Sequence, residues 1–447
     1  MRLTPSVHPH PTASQHAPRR RCAGALSLAL MTLVPATGWA APTDADHGDT
    51  AWLLTSAALV IFMCLPGVAM FYGGLVRRKN VLSVLGQCFA VASIASLVWV
   101  FAGYHLAFGQ PPYCNEWFCS IDFSASLVQR GALHGRVPEA AFLMFQMAFA
   151  VITPTLALGG FAERMRFPAV LMYTGLWSLF VYAPIAHWIW GEGWLAHQGA
   201  LDFAGGLAVH VTSGTSALVA AYLIGRRDTR RATPTAHSLP LVAIGGGMLW
   251  VGWFGFNGGS ALAADDSAAM AVLTTHVAAC TGALVWMAAE WQRHHKPSVT
   301  GLLTGAVAGL VTITPAAGFV GAAAAGAIGA LGSLVCFGAL NMIRTHLRVD
   351  DALDVSPIHG VGGMIGALLT GVFASSAFGG SGLASGVLHQ VGIQAMAIVI
   401  VVGWTAVVSA ILLLLTDRLV GLRIDSLGEV AGLDIADFGE SGYIDAE

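Results

Sequence analysis

Charge is what this sequence lacks most. Only 10% of its 447 residues are Asp, Glu, Lys or Arg, where a soluble domain carries about 25%. That leaves too little polar surface to solvate a globule of this length, which excludes an ordinary soluble enzyme. The net charge of -3 lacks the basic excess of a nucleic-acid-binding chain. Cysteine is sparse too, with seven in the whole chain, too scattered for a disulfide framework. Cys64, Cys88, Cys280 and Cys336 fall in apolar runs and read as small packing residues. Cys22 lies in the N-terminal segment. Cys114 and Cys119 share one long loop, where a local disulfide and two free thiols fit the sequence equally well.

What is abundant is apolar. Hydrophobic residues make up 56% of the chain, with 54 glycines and 13 tryptophans. Glycine lets helices approach closely in lipid, and tryptophan anchors at its interface. Residues 1–40 read as a cleaved signal peptide. Arg19, Arg20 and Arg21 precede an apolar stretch from Ala23 to Val34, and Gly38-Trp39-Ala40 supplies small residues for cleavage near Ala40. An uncleaved first helix is the alternative, weakened by the short run and by Pro35. Export of the new amino terminus implies an inner membrane of a Gram-negative-type cell.

Runs of spanning length then recur, and they predict eleven transmembrane helices near 51–73, 81–107, 138–160, 168–189, 206–224, 239–261, 268–290, 299–316, 319–343, 358–377 and 391–416. The chain thus divides into a membrane domain over 41–416 and a cytoplasmic tail over 417–447. Basic residues orient it. Arg77 to Lys79, Arg164 and Arg166, Arg226 to Arg231, Arg293 and Lys296, Arg344 and Arg348, and Arg418 and Arg423 fall on one side. Only Arg130 and Arg136 fall on the other. The positive-inside rule makes the first side cytoplasmic.

A repeat is visible. Asp202-FAGGLAV-His210 opens the fifth span, and Asp351-ALDVSPI-His359 opens the tenth with the same spacing. FYGG from Phe71 ends the first span, and FNGG from Phe256 lies late in the sixth. An offset of five spans inverts the second copy, the all-α architecture of many transporters. Imidazole in hydrocarbon is costly unless it meets a polar partner or a cavity. Paired neutral imidazoles pass or accept protons near neutral pH. On spacing alone, two unrelated histidines, each satisfied by a carbonyl, explain His210 and His359 as well. No third ligand accompanies them, which disfavours zinc and a metalloenzyme. Asp202 caps its helix, attracts a cation, or does both. Trp190 reads as a cation–π site or as an interface-belt residue, and Phe145, Phe149 and Phe256 read as packing.

The chain resembles the ammonium transporter family (Amt/Mep/Rh), in its bacterial Amt branch. The resemblance rests on DFAGGLAVHVTSGTSALVAAYLIGRR from Asp202 and FYGGLVRRKNVLS from Phe71. GFAERMRF from Gly160, WFGFNGGS from Trp253, KPS from Lys296 and LRVDDALDV from Leu347 add to it. The resemblance implies ammonium or ammonia as substrate, no catalysis, no cofactor, and a homotrimer with one path per subunit. It implies an external recruitment site at Trp190, Phe145 and Ser260, a gate at Phe149 and Phe256, and twin pore histidines at His210 and His359. Gln146 and Asp202 match positions near the mouth, Asp202 as a structural residue. Trp190 favours the Amt over the Rhesus branch. The family's tail docks on neighbouring subunits, and a PII-type protein plugs the cytoplasmic exit. The GLD motif from Gly432 and Tyr443 are retained, but Phe438 stands where the family commonly has histidine before Gly-Glu. An ammonium sensor of the same fold is the alternative. Sensors usually append a signalling domain, and the sequence runs only about 30 residues past its last predicted span.

Overall fold

A computed structural model describes residues 45–110, 112–121, 128–228, 235–383 and 386–443. The signal-peptide expectation lies outside them. Among the described residues, ten helices are long and apolar enough to cross a membrane. They are α1 (His47–Leu75), α2 (Arg78–Phe108), α3 (Glu139–Phe161), α4 (Phe167–His197), α5 (Gly206–Ile224), α6 (Leu239–Gly259), α7 (Asp266–His294), α9 (Ala322–Leu347), α10 (Ser356–Phe373) and α11 (Val387–Val420). Between α7 and α9 lies the shorter apolar α8 (Val299–Ile313). At about 1.5 Å per residue it rises only about 22 Å. The chain continues beyond it as buried irregular turns through Val320. Irregular backbone at that depth is tolerated where protein covers it. A two-stranded hairpin, β1 (Leu133–His134) and β2 (Val137–Pro138), precedes α3.

Glycine decides how the helices meet. A Cβ on Gly74 would lie 2.6 Å from the Ser238 carbonyl, one on Gly245 2.3 Å from the Phe71 nitrogen, and one on Gly255 2.6 Å from Leu59 Cβ. So α1 and α6 run antiparallel in backbone contact. The same holds for α5 and α10. A Cβ on Gly214 would fall 2.1 Å from the Gly360 nitrogen, and one on Gly363 2.6 Å from the Gly206 carbonyl. These are the two helix pairs related by the sequence repeat, and antiparallel pairing is what an inverted repeat requires.

Both α5 and α10 begin with a π-type turn, Gly206–Val211 and Ser356–Val361, and each turn carries its histidine. Such wide turns cluster at functional positions because they shift side chains off the regular α face. Gly214→Val is therefore expected to cost on the order of 2 kcal/mol or more and to part the two histidines. Gly247→Val, with open space around its Cβ, is the control. Thermal melting in detergent should fall for the first and hold for the second.

The basic loops are tied together on one face. Glu163, fully buried after α3, accepts from Arg77 Nε at 2.9 Å, Asn80 Nδ2 at 2.7 Å and Arg227 Nη1 at 2.9 Å. Arg227 also forks onto Asp350, at 3.0 and 2.7 Å. Burial pushes the Glu163 carboxyl up, but Arg227 and Arg77 outweigh it and the net shift is downward. For Asp350, burial is outweighed by Arg227 and Arg164, and its pKa falls to about 2. Both carboxylates therefore favour folding above their ordinary values, and that contribution fades as pH falls through the lowered ones.

The tail folds back on this face of its own chain. A short helix, α12 (Ser426–Ala431), is followed by Asp434, which accepts from the Ser83 nitrogen at 2.7 Å. Phe438 packs on Phe167 with centroids 4.9 Å apart, and it sits where a Cβ on Gly86 would lie 2.8 Å from its ring. Tyr443 Oη meets His237 Nε2 at 2.8 Å. Cys114 and Cys119 are joined in a disulfide.

Candidate functional site

On the face opposite the basic loops, a cavity of about 140 Å³ is lined by Trp190, Ser260, Gln146, Phe149 and Phe203, with His134 and Phe142 at its side. Trp190 ends the unbroken stretch of α4 before its interruption at residues 191–193, and its indole Nε1 donates to the Asp202 carbonyl at 2.9 Å. That bond fixes the ring with its polar edge occupied. Ser260 follows α6 and donates its hydroxyl proton to the Phe256 carbonyl at 2.9 Å. Its oxygen therefore keeps its lone pairs for an incoming donor. Gln146 Oε1 is buried and has no hydrogen-bond partner among the described residues.

Asp202 does not face this cavity as a free charge. Its buried carboxylate accepts from four successive backbone nitrogens, of Gly205, Gly206, Leu207 and Ala208, at 2.9, 2.6, 2.8 and 3.0 Å. The loop makes this possible because Gly205 takes φ +111°, a left-handed value that a side chain would resist. Of the two roles open to Asp202, capping and cation attraction, the geometry is that of a cap. Its repeat mate Asp351 accepts from the Ser356 nitrogen at 2.6 Å.

Behind the cavity the aromatic rings close up. Phe149 meets Trp190 edge-on at 5.7 Å and Phe256 at 4.4 Å with planes 38° apart. Both phenylalanines are fully buried. Phe145, expected beside Trp190, does not line the cavity. It lies against Phe149 at 5.0 Å, and a Cβ on Gly259 would fall 2.6 Å from its ring. Inward of Phe256 stands His210, with the two rings 18° from parallel at 5.8 Å. Trp253 lies on the same imidazole at 5.3 Å, held by its Nε1 bond to Thr314 Oγ1 at 2.9 Å. Nothing in the pattern of apolar residues distinguished Trp253 from a packing tryptophan.

His210 Nδ1 lies 3.2 Å from His359 Nδ1. Only one of these nitrogens carries the shared proton at a time. His210 Nε2 is buried without a partner among the described residues. His359 opens onto a second cavity of about 560 Å³ on the basic-loop face, which is also lined by Phe71, Tyr72, Ile358, Asp354 and Arg344. Trp190, Phe149, Phe256, His210 and His359 thus form one column of ring contacts between the two cavities. Apart from the histidine pair it is apolar. Its rings offer an ion no polar wall, and the histidine pair can accept or pass a proton at its centre.

The model of the Ammonium Transporter Family matches residues 51–443. The ammonium transporter of Aquifex aeolicus is 43% identical over 420 residues, covering 93% of this chain and 97% of that protein. Among solved structures, Mep2 of Saccharomyces cerevisiae is 37% identical with a TM-score of 0.78, covering 86% of this chain and 91% of that one. A structure described as a sensor Amt protein is 30% identical with a TM-score of 0.81, covering 88% and 98%. With a family match that runs through nearly every described residue and two antiparallel glycine-packed repeat pairs beneath it, this multi-pass membrane chain belongs to the ammonium transporter family.

Proposed function

We propose that the chain takes ammonium up across the inner membrane, by stripping its proton at the outer cavity and conducting ammonia past His210 and His359. The observation that carries this reading is the ring column, with its 3.2 Å imidazole contact, between the two cavities. Ammonium and potassium have similar size and charge, but only ammonium can hand on a proton and continue uncharged. In this reading the Trp190 face, the Ser260 oxygen and Gln146 Oε1 hold the cation, and Phe145 acts by backing Phe149. Phe149 and Phe256 exclude water, and the neutral molecule slips between them. The histidine pair relays the proton, so charge follows the nitrogen.

Uptake of methylammonium by a strain lacking its own ammonium carriers tests the function. Absence of uptake would leave the sensor reading, which the likeness to the sensor Amt structure favours. Trp190→Leu keeps an apolar wall but removes the indole face. Cation–π attraction of about 0.5–2 kcal/mol makes the expected rise in KM about 2- to 30-fold. An unchanged KM would remove Trp190 from the site.

We further infer a homotrimer embedded in membrane lipid, with the mature amino terminus periplasmic and the tail cytoplasmic. The basic-loop face and the folded tail offer a docking surface for a PII-type protein. Co-purification at low 2-oxoglutarate checks that partner.

A further inference from the structure

The outer cavity holds one titratable group in its wall, and the proposed route gives it no task. His134 ends β1, and its ring lies flat on Phe142 with centroids 3.6 Å and planes 8° apart. It lines the same cavity as Trp190, Ser260 and Gln146. Among the described residues of that lining, none but His134 changes charge near neutral pH. The ring is held firmly. His134 pairs with the buried Val137 across the hairpin, and the Glu139 nitrogen donates to the Ala132 carbonyl at 2.9 Å, pinning the hairpin to the start of α3. The charged groups around it are few. Glu139 accepts from Tyr104 Oη of α2 at 3.2 Å, and Glu192 is exposed after Trp190. Arg136, in the hairpin turn, is paired with Asp46 and Asp49 at the start of α1.

We propose that His134 is a proton-controlled selectivity element of the outer cavity: its neutral ring leaves the site open to a cation, and its protonated ring repels one. This rests on reading the cavity as the ammonium site. A like charge within about 12 Å, through an effective dielectric near 20, weakens cation binding by about tenfold or more. Burial lowers the His134 pKa from its ordinary 6.5, against an opposing pull from Glu139 and Glu192. The ring is therefore neutral at pH 7 and gains its proton only as external pH falls below its ordinary range. Apparent affinity should be level above that range and worsen beneath it.

The test is methylammonium uptake into proteoliposomes at external pH 7.5 and 5.0, a range over which the substrate stays a cation. The wild type should show a KM at least severalfold higher at the lower pH, where protonation of the ring begins to repel the cation. His134→Phe should abolish that ratio, and His134→Lys should give a high KM at both values. Melting curves in detergent check that both variants fold. A wild-type KM that does not change with pH, or a His134→Phe protein that keeps the wild-type ratio, overturns the proposal. No saturable uptake by the wild type at either pH overturns the ammonium reading itself, and this proposal with it.

Discussion

Replacing His210 and His359 together by leucine is expected to reduce the ammonium-evoked current in proteoliposomes at least about a hundredfold, the loss typical when a positioned proton carrier is removed. Leucine approximates the size of imidazole and suits an apolar tunnel, so the fold should survive and the monodisperse peak in detergent should be unchanged. What disappears is the pair of nitrogens 3.2 Å apart that share a proton. The remaining wall, made of Phe149, Phe256 and Trp253, offers no acceptor for one. Ammonia itself can still cross such a tunnel, so nitrogen uptake should fall less than current. A variant that keeps the wild-type current would mean that the charge crosses by some other route, and the relay would have to be abandoned.

Asp202→Ala should prevent accumulation of folded protein. Four buried nitrogens, of Gly205 to Ala208, would lose their acceptor at once. Each orphaned group costs about 1–3 kcal/mol, and the sum approaches the whole stability of an ordinary domain, about 5–15 kcal/mol. The loop also carries the carbonyl that anchors Trp190, so its collapse should reach the outer cavity. Asp202→Asn retains one acceptor oxygen and should give a protein of intermediate melting temperature. The alternative, in which Asp202 binds the cation directly, predicts the reverse: stable protein and poor affinity in both variants. Thermal melting alongside uptake separates the two, and an Asp202→Ala protein with wild-type melting would contradict the cap.

Much of this was legible in the residues. The offset from Asp202-His210 to Asp351-His359 already implied inverted helices meeting at an axis, and the glycine contacts of Gly214 and Gly363 supply the closeness. Spans were legible because hydrocarbon thickness imposes their length. The sixth and tenth spans ended a few residues early, at Gly259 and Phe373, and α8, expected over 299–316, ended at Ile313. Its end is irregular backbone buried in protein, which hydropathy reads as more helix. Side-chain placement was less legible. Phe145 and Phe149 lie one turn apart on α3, and sequence cannot say which faces a cavity and which stands behind. Trp253 looked like any membrane tryptophan until its ring was seen against His210. His134 sits on a two-residue strand, too short for a periodic pattern to reveal that it faces a site. Phe438, a departure in the tail, has a place made for it by Gly86, which a chain reading with no contacts cannot supply.

The most direct test of the central claim compares ammonium with potassium in the same wild-type proteoliposomes under equal gradients. An ion that must surrender a proton to pass should move, and one that cannot should be held at the level of protein-free liposomes. Potassium flux equal to that of ammonium would show that the path conducts bare cations, and the account of discharge before the Phe149 and Phe256 barrier would be wrong.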